Sequence, residues 1–244
     1  MVVDPRSLQA SIATLPQAFA NRKLVPSLVS SLAHGGASTP LVLPLLLELG
    51  KSLPEADYIS GVLVTVITLF EKPDRAIRMA LLEGLPAFAD KLDSRAINDK
   101  VWPNLQTGFS DTVPIVREAT VRAIAQIYLK LSGRVLNNDL LRHLAKMQLD
   151  PEASIRTNTC ILLAKIAPEL GHNTKRKVLV PAFARAIKDG FVHARLAGLS
   201  GLCATIDCFE PEDMATRVLP AIVSALLDKE KFVTQLSLAW SFEP

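Results

Sequence analysis

Apolar residues recur along the chain at three- and four-residue intervals, in paired blocks. Val101, Leu105 and Phe109 make one block, Ile115, Val116, Ala119, Ile124, Ile127 and Tyr128 the next, and Asp111 lies in the polar break between them. Such spacing lays an apolar stripe along one face of a helix, so each pair of blocks predicts helix A, a tight turn and helix B. The unit recurs as FEKPDRAIRMALLEGL, FSDTVPIVREATVRAI, LDPEASIRTNTCILLA and KDGFVHARLAGLSGL, which places Arg78, Arg117, Arg156 and Arg195 at successive steps of 39 residues. Asp111, Asp150 and Asp189 precede the last three of these arginines by six residues, and Asp228 continues the series. Pro103, Pro181 and Pro220 keep the same phase in helix A.

A period near 40 residues marks stacked helical pairs, and the proline in helix A, the aspartate in the turn and the Ile-Arg or Val-Arg pair entering helix B make the repeat HEAT-type. The expected fold is an all-α HEAT-type solenoid of about six helical pairs, read as a single domain over 1–244. Its clearest repeats cover 57–228, an irregular first repeat covers 23–52, and a truncated last helix covers 230–244. The pattern predicts A helices at 23–33, 57–70, 97–109, 137–148, 174–187 and 213–227, and B helices at 40–52, 75–91, 114–131, 153–169, 191–206 and 230–240. A separate helix is expected over 8–20, and each helix A should take its proline as a bend.

Fixed phase gives the recurrent charges a structural meaning. Each aspartate should sit at the turn, near the amides that open helix B, and each arginine should start that helix. Stacking then brings Arg78 to Asp111, Arg117 to Asp150, Arg156 to Asp189 and Arg195 to Asp228, a polar ladder between neighbouring repeats.

With 49% hydrophobic residues the chain can fill a core of stacked helices. Twenty-seven Lys and Arg against 24 Asp and Glu leave a formal +3, so any surface for an anionic partner has to be local. Arg142, Lys146, Lys175, Arg176 and Lys177 are the candidates. The last three head a helix, where the macrodipole disfavours cations and an external anion or acidic partner would compensate.

Catalytic and metal chemistry find little support. His34, His143, His172 and His193 show no spacing that sets two ligands on one helical face, and Cys160, Cys203 and Cys208 read as buried apolar groups of a reducing compartment. Gly198-Leu-Ser-Gly201 departs from a nucleophile turn and reads as a close helix contact. No catalytic residue, cofactor or metal is expected. Asp4 and Pro5 argue against a secretory signal, and the apolar runs are too short for about 20 membrane-spanning residues, so a soluble protein is expected.

The stretches KVWPNLQTGFSDTVPIVREATVRAI (100–124), ASIRTNTCILLAKIAPEL (153–170), KVLVPAFARAIKDGFVHARLAGLSGLCAT (177–205) and RVLPAIVSALLDKEKFV (217–233) resemble the HEAT-repeat domain of the N-terminal-kinase-like, or Scy-like, pseudokinases. The likeness covers about residues 8–233, without the kinase-like part: the glycine-rich loop, V-A-I-K, H-R-D and D-F-G segments are absent from the chain. The resemblance implies a non-enzymatic cytoplasmic scaffold in Golgi-to-endoplasmic-reticulum traffic, peripheral at Golgi membranes, with coat or trafficking proteins as partners. Its alternative implication is a factor in nuclear export of transfer RNA, with transfer RNA or its export machinery as partner. Where the family continues its next helix B with Val-Arg, this chain has Val233-Thr234 and ends at Pro244, without the basic coat-binding tail of some members.

Overall fold

In the computed structural model, which describes residues 16–34, 36–231 and 233–235, the two apolar blocks of each period form consecutive helices, and no strand occurs among the described residues. The chain divides into two compact units, Met1–Gly108 and Phe109–Pro244. The first holds α1 (17–34), α2 (Thr39–Gly50), α3 (55–69), α4 (Arg75–Phe88) and α5 (94–105). The second holds α6 (Pro114–Ile127), α7 (135–147), α8 (Ala153–Ile166), α9 (His172–Ala186), α10 (Val192–Ala204) and α11 (211–226).

In the first unit α2 lies against α1 and α4, and Leu43, Leu46, Val66, Leu69, Leu81, Leu85 and Phe88 are withdrawn from water. In the second, α8 is packed against α6, α7, α9 and α10 over a core that includes Val116, Ile124, Ile155, Ile166, Leu179, Phe183, Leu199 and Leu202. Single helices of this length are marginal in water, so most of their stability comes from burying these faces on neighbours. Each unit is a stack of HEAT-type helical pairs.

From α3 onward the A helices begin two to three residues before the predicted starts: α3 at 55, α5 at 94, α7 at 135, α9 at 172 and α11 at 211. Periodicity marks the first buried residue, whereas the helix begins with a polar first turn ahead of it. The Asp93 carboxylate accepts a hydrogen bond from the Ala96 amide at 2.6 Å and so opens α5; Asp74 does the same for α4 through the Ile77 amide at 2.9 Å. Pro211 opens α11 at a position where its missing N–H costs nothing.

Residues 17–22 continue directly into the helix expected at 23–33, so the separate helix over 8–20 is corrected in its last residues; 8–15 lie outside the described residues. The join is a π-helical turn, Ala20–Leu24, just before Pro26. Similar turns precede Pro103, at Ile97–Val101, and Pro220, at Met214–Val218, so these prolines follow a widened turn where a bend was expected. Tyr58–Leu63 and Val135–Leu140 widen without a proline in phase, and α9 carries Pro181 without widening, so proline alone does not cause it. Of the helix expected at 230–240, residues 231 and 233–235 are helical; Leu236, Leu238, Ala239 and Trp240 lie outside the described residues.

The approach of α9 to α10 depends on two glycines. A Cβ at Gly198 would lie 2.7 Å from the Ala186 Cβ and 3.0 Å from the Ile187 backbone nitrogen, and one at Gly201 would lie 2.5 Å from the Phe183 ring. Because main chain cannot move aside cheaply, Gly198→Ala is expected to destabilise the protein by about 1–3 kcal/mol despite the helix preference of alanine. Gly61→Ala, at a helical position with no atom within 4 Å, should instead stabilise by about 0.5–1 kcal/mol. Urea unfolding of both variants checks the opposite signs.

Candidate functional site

The turns of the second unit share one geometry. Asp111, Asp150, Asp189 and Asp228 each accept, through Oδ1, the amide hydrogen two residues ahead, from Val113, Glu152, Phe191 and Glu230 at 2.8–3.0 Å. Val113, Glu152 and Phe191 stand immediately before α6, α8 and α10, so these carboxylates close the turn that leads into the helix rather than capping amides inside it.

The arginines six residues on reach both ways. Arg117 Nη1 donates to the Asp111 carbonyl at 2.8 Å, while its Nε and Nη2 hold Asp150 Oδ2 and Oδ1 at 2.7 and 2.9 Å. Arg156 repeats this with the Asp150 carbonyl at 2.8 Å and Asp189 at 2.7 and 2.8 Å. Arg195 does so with the Asp189 carbonyl at 3.1 Å and Asp228 at 2.6 and 3.1 Å. The planar guanidinium supplies the fork that such two-point contacts need. At the next step of the period Thr234 replaces the arginine, and its hydroxyl donates to the Asp228 carbonyl at 3.1 Å, keeping the backbone half of the contact. Arg78 belongs to the first unit, half-buried in the first turn of α4, and Asp111 to the second.

Burial alone would raise the Asp150 carboxyl, yet hydrogen bonds from Arg117 and the Glu152 amide hold it below its ordinary value. For Asp189 and Asp228 the bonds from Arg156 and Arg195 are the leading cause of the same lowering, with burial opposing.

The candidate basic residues lie on α7 and α9. Arg142 and Lys146 are exposed on α7, and Arg142 stands 4.0 Å from Asp139 with 80% of its side chain in water. On α9, Lys175 and Arg176 are half-buried and Lys177 is exposed. Arg176 Nε lies 2.6 Å from Asp213 on α11, a carboxylate 7% exposed that Arg217 also approaches at 3.6 Å. The expectation that cations heading this helix await an external anion is therefore corrected for Arg176. A pair occurring once leaves no periodic trace, which is why the sequence pattern does not reveal it.

A concavity of about 410 Å³ between α7 and α9 is lined by Asn137, Asn138, Arg142, Asn173, Thr174 and Lys177, among others. A second of about 370 Å³, between α9 and α11, is lined by Asn173, Arg176, Lys177 and Arg217. Lys146 and Lys175 line neither.

Two of the three cysteines are held as thiols. Burial pushes the Cys160 thiol up to about 12 and the Cys203 thiol to about 11, far from thiolate formation at neutral pH, and Cys208 is half-buried. Burial chiefly, with Lys146, lowers the pKa of His143, whose ring is stacked on Phe109 at 4.8 Å. Among the described residues no group of three or more His, Cys, Asp or Glu is placed to hold a metal, and no helix is long and apolar enough to cross a membrane.

Repeated helical pairs clamped at their turns define a HEAT-type helical-repeat protein. Within that class, the chain belongs to the family described as PIK3R4-like, middle domain, which it matches over residues 22–195. It is 33% identical over 228 residues to the probable inactive serine/threonine-protein kinase scy1 of Dictyostelium discoideum, covering 93% of this chain and 28% of that protein. It is 37% identical over 166 residues to cytoplasmic export protein 1 of Saccharomyces cerevisiae, covering 67% of this chain and 22% of the relative. The crystal structure of Cex1p superposes with a TM-score of 0.74 at 27% identity, covering 98% of this chain and 49% of that one. The chain thus corresponds to the helical part of Scy-like pseudokinases and spans under a third of the curated relatives' length.

The lowered carboxyl values carry a pH dependence. Stability contributed by Asp150, Asp189 and Asp228 is complete above their unfolded value near 3.8 and is lost as pH falls through their lower folded values. The urea midpoint should therefore fall as the pH is taken below about 4. Asp189→Asn, which cannot titrate, should lower the midpoint at neutral pH and flatten that acid limb, as measured by circular dichroism across the pH series.

Proposed function

We propose that the chain is a non-catalytic scaffold whose repeats hold a partner protein in Golgi-to-endoplasmic-reticulum, coatomer-linked vesicle traffic. The observation that carries this reading is where three two-pronged ion pairs go. Asp150, Asp189 and Asp228 are committed, with their arginines, to joining one repeat to the next, which is the task of a support and not of a catalytic centre. The likeness over 93% of the chain to a protein named as a probable inactive kinase supports it. A cytoplasmic protein peripheral at Golgi membranes fits this role.

A second reading, an RNA-associated factor in nuclear export of transfer RNA, is favoured by the cations Arg142, Lys177 and Arg217 around two adjoining concavities, and by the relative named cytoplasmic export protein 1. The two readings separate in a binding experiment with the immobilised chain. Purified coatomer should be retained at about 0.15 M salt while transfer RNA passes through. Retention of transfer RNA without coatomer, with log affinity falling against log salt at a slope of about −2 to −3 for three phosphate contacts, would replace the first reading by the second.

A further inference from the structure

We propose that the adjoining concavities between α7, α9 and α11 take an extended acidic peptide, with Arg142, Lys177 and Arg217 facing its carboxylates and the amides of Asn138 and Asn173 pairing with its main chain. The inference rests on the scaffold reading and names the chemistry of the partner segment.

Charge is the first argument. Arg142 and Lys177 line the first concavity, Arg176, Lys177 and Arg217 the second, and neither lining contains a carboxylate. The acids nearby are partly engaged. Asp213 is buried between Arg176 and Arg217, Glu210 bonds His172 at 3.0 Å, and Asp139 lies at 4.0 Å from Arg142; Glu212 is exposed at the head of α11. Lys177 lines both concavities, so one bound chain can pass from the first to the second beside it. Crossing two helix-to-helix steps of roughly 8–10 Å takes about six residues of extended chain.

The amides are the second argument, and they choose between anionic polymers. Asn137 is spent internally: its Nδ2 donates to the Gly133 carbonyl at 3.0 Å and its Oδ1 accepts the Gly171 amide at 3.0 Å, fastening the head of α9 to α7. Asn138 and Asn173, by contrast, are exposed at the rim, each offering one acceptor and two donors. A peptide group presents N–H and C=O together and can answer both halves of such an amide. A phosphate group offers acceptors alone, so on a nucleic acid Oδ1 has to be answered by a 2′-hydroxyl or a base rather than by the repeating backbone group that meets the cations. Neither lining includes an aromatic ring on which a base could stack, and Tyr128 lies under Lys165 at 5.6 Å.

Fluorescence anisotropy of the whole chain tests the proposal with three labelled octamers: alternating Glu and Ser, alternating Lys and Ser, and single-stranded oligouridine. The Glu-Ser peptide should bind and the Lys-Ser peptide should not. Arg142→Glu with Lys177→Glu should weaken binding at least about tenfold, and Asn138→Ala with Asn173→Ala about three- to tenfold without changing the salt dependence. All four side chains are exposed, so circular dichroism should show unchanged helix content. Equal binding by wild type and the charge-reversed variant overturns the proposal. So does tighter binding of oligouridine that ignores the asparagine substitutions, which would make the surface a phosphate tract. A chain that retains coatomer but binds no acidic peptide loses this inference alone; one that retains neither loses the scaffold reading as well.

Discussion

The arginine fork made by Arg117, Arg156 and Arg195 is the contact on which the order of the repeats in the second unit depends. One guanidinium holds the carbonyl of its own turn and, by two further bonds, the carboxylate of the next, so the conformation of one turn and the position of its neighbour are set by the same group. The carboxylate in turn fixes its own loop through the amide two residues ahead, so each repeat is prepared to receive the arginine before it. Exposed ion pairs contribute little, but here 12% or less of each carboxylate is exposed and the contact is two-pronged. Removing one partner would leave the other partly buried with its charge unanswered, so the cost of losing either exceeds the net worth of the pair.

This division of labour leaves the helix A surface available. The turns are held by the ladder and the interior by apolar faces and by glycines that let α9 and α10 approach, while on α7, α9 and α11 Asn137, Arg176 and Asp213 join neighbours and the exposed Asn138, Arg142, Asn173 and Lys177 do not. There the sequence is irregular: Asn138, Arg142, Asn173 and Lys177 follow no 39-residue phase among themselves except 138 with 177, and those two differ in kind. A surface that varies from repeat to repeat is what a scaffold needs to recognise one partner segment rather than any.

The helical class, the helix B spans from α2 to α10 and the arginine and aspartate positions were legible in the sequence because one structural demand, repeated, leaves one residue type at one phase. The starts of the A helices were less so, since polar first turns such as Ser94-Arg-Ala96 precede the first buried residue and carry no apolar signal. The widened turns before Pro26, Pro103 and Pro220 are a matter of backbone register that residue type does not encode uniquely, as α3 and α7 show. Of the candidate surface, composition pointed to Arg142 and Lys177, yet placed Arg176 beside them as an equal. Its pairing with Asp213, 37 residues away, depends on three-dimensional proximity at a single repeat, and the asparagines of the same concavities have no charge to attract notice.

The coupling claimed for the ladder is most directly measured by a double-mutant cycle on Arg156 and Asp189, using Arg156→Met, Asp189→Asn and the two together, with unfolding free energies from urea titration at neutral pH. A partly buried two-pronged pair predicts an interaction of about 1.5 kcal/mol or more, the double variant being far less destabilised than the sum of the single ones. Additivity within about 0.5 kcal/mol would contradict the account, because the two residues would then stabilise their own repeats separately and the fork would not be what orders one against the next.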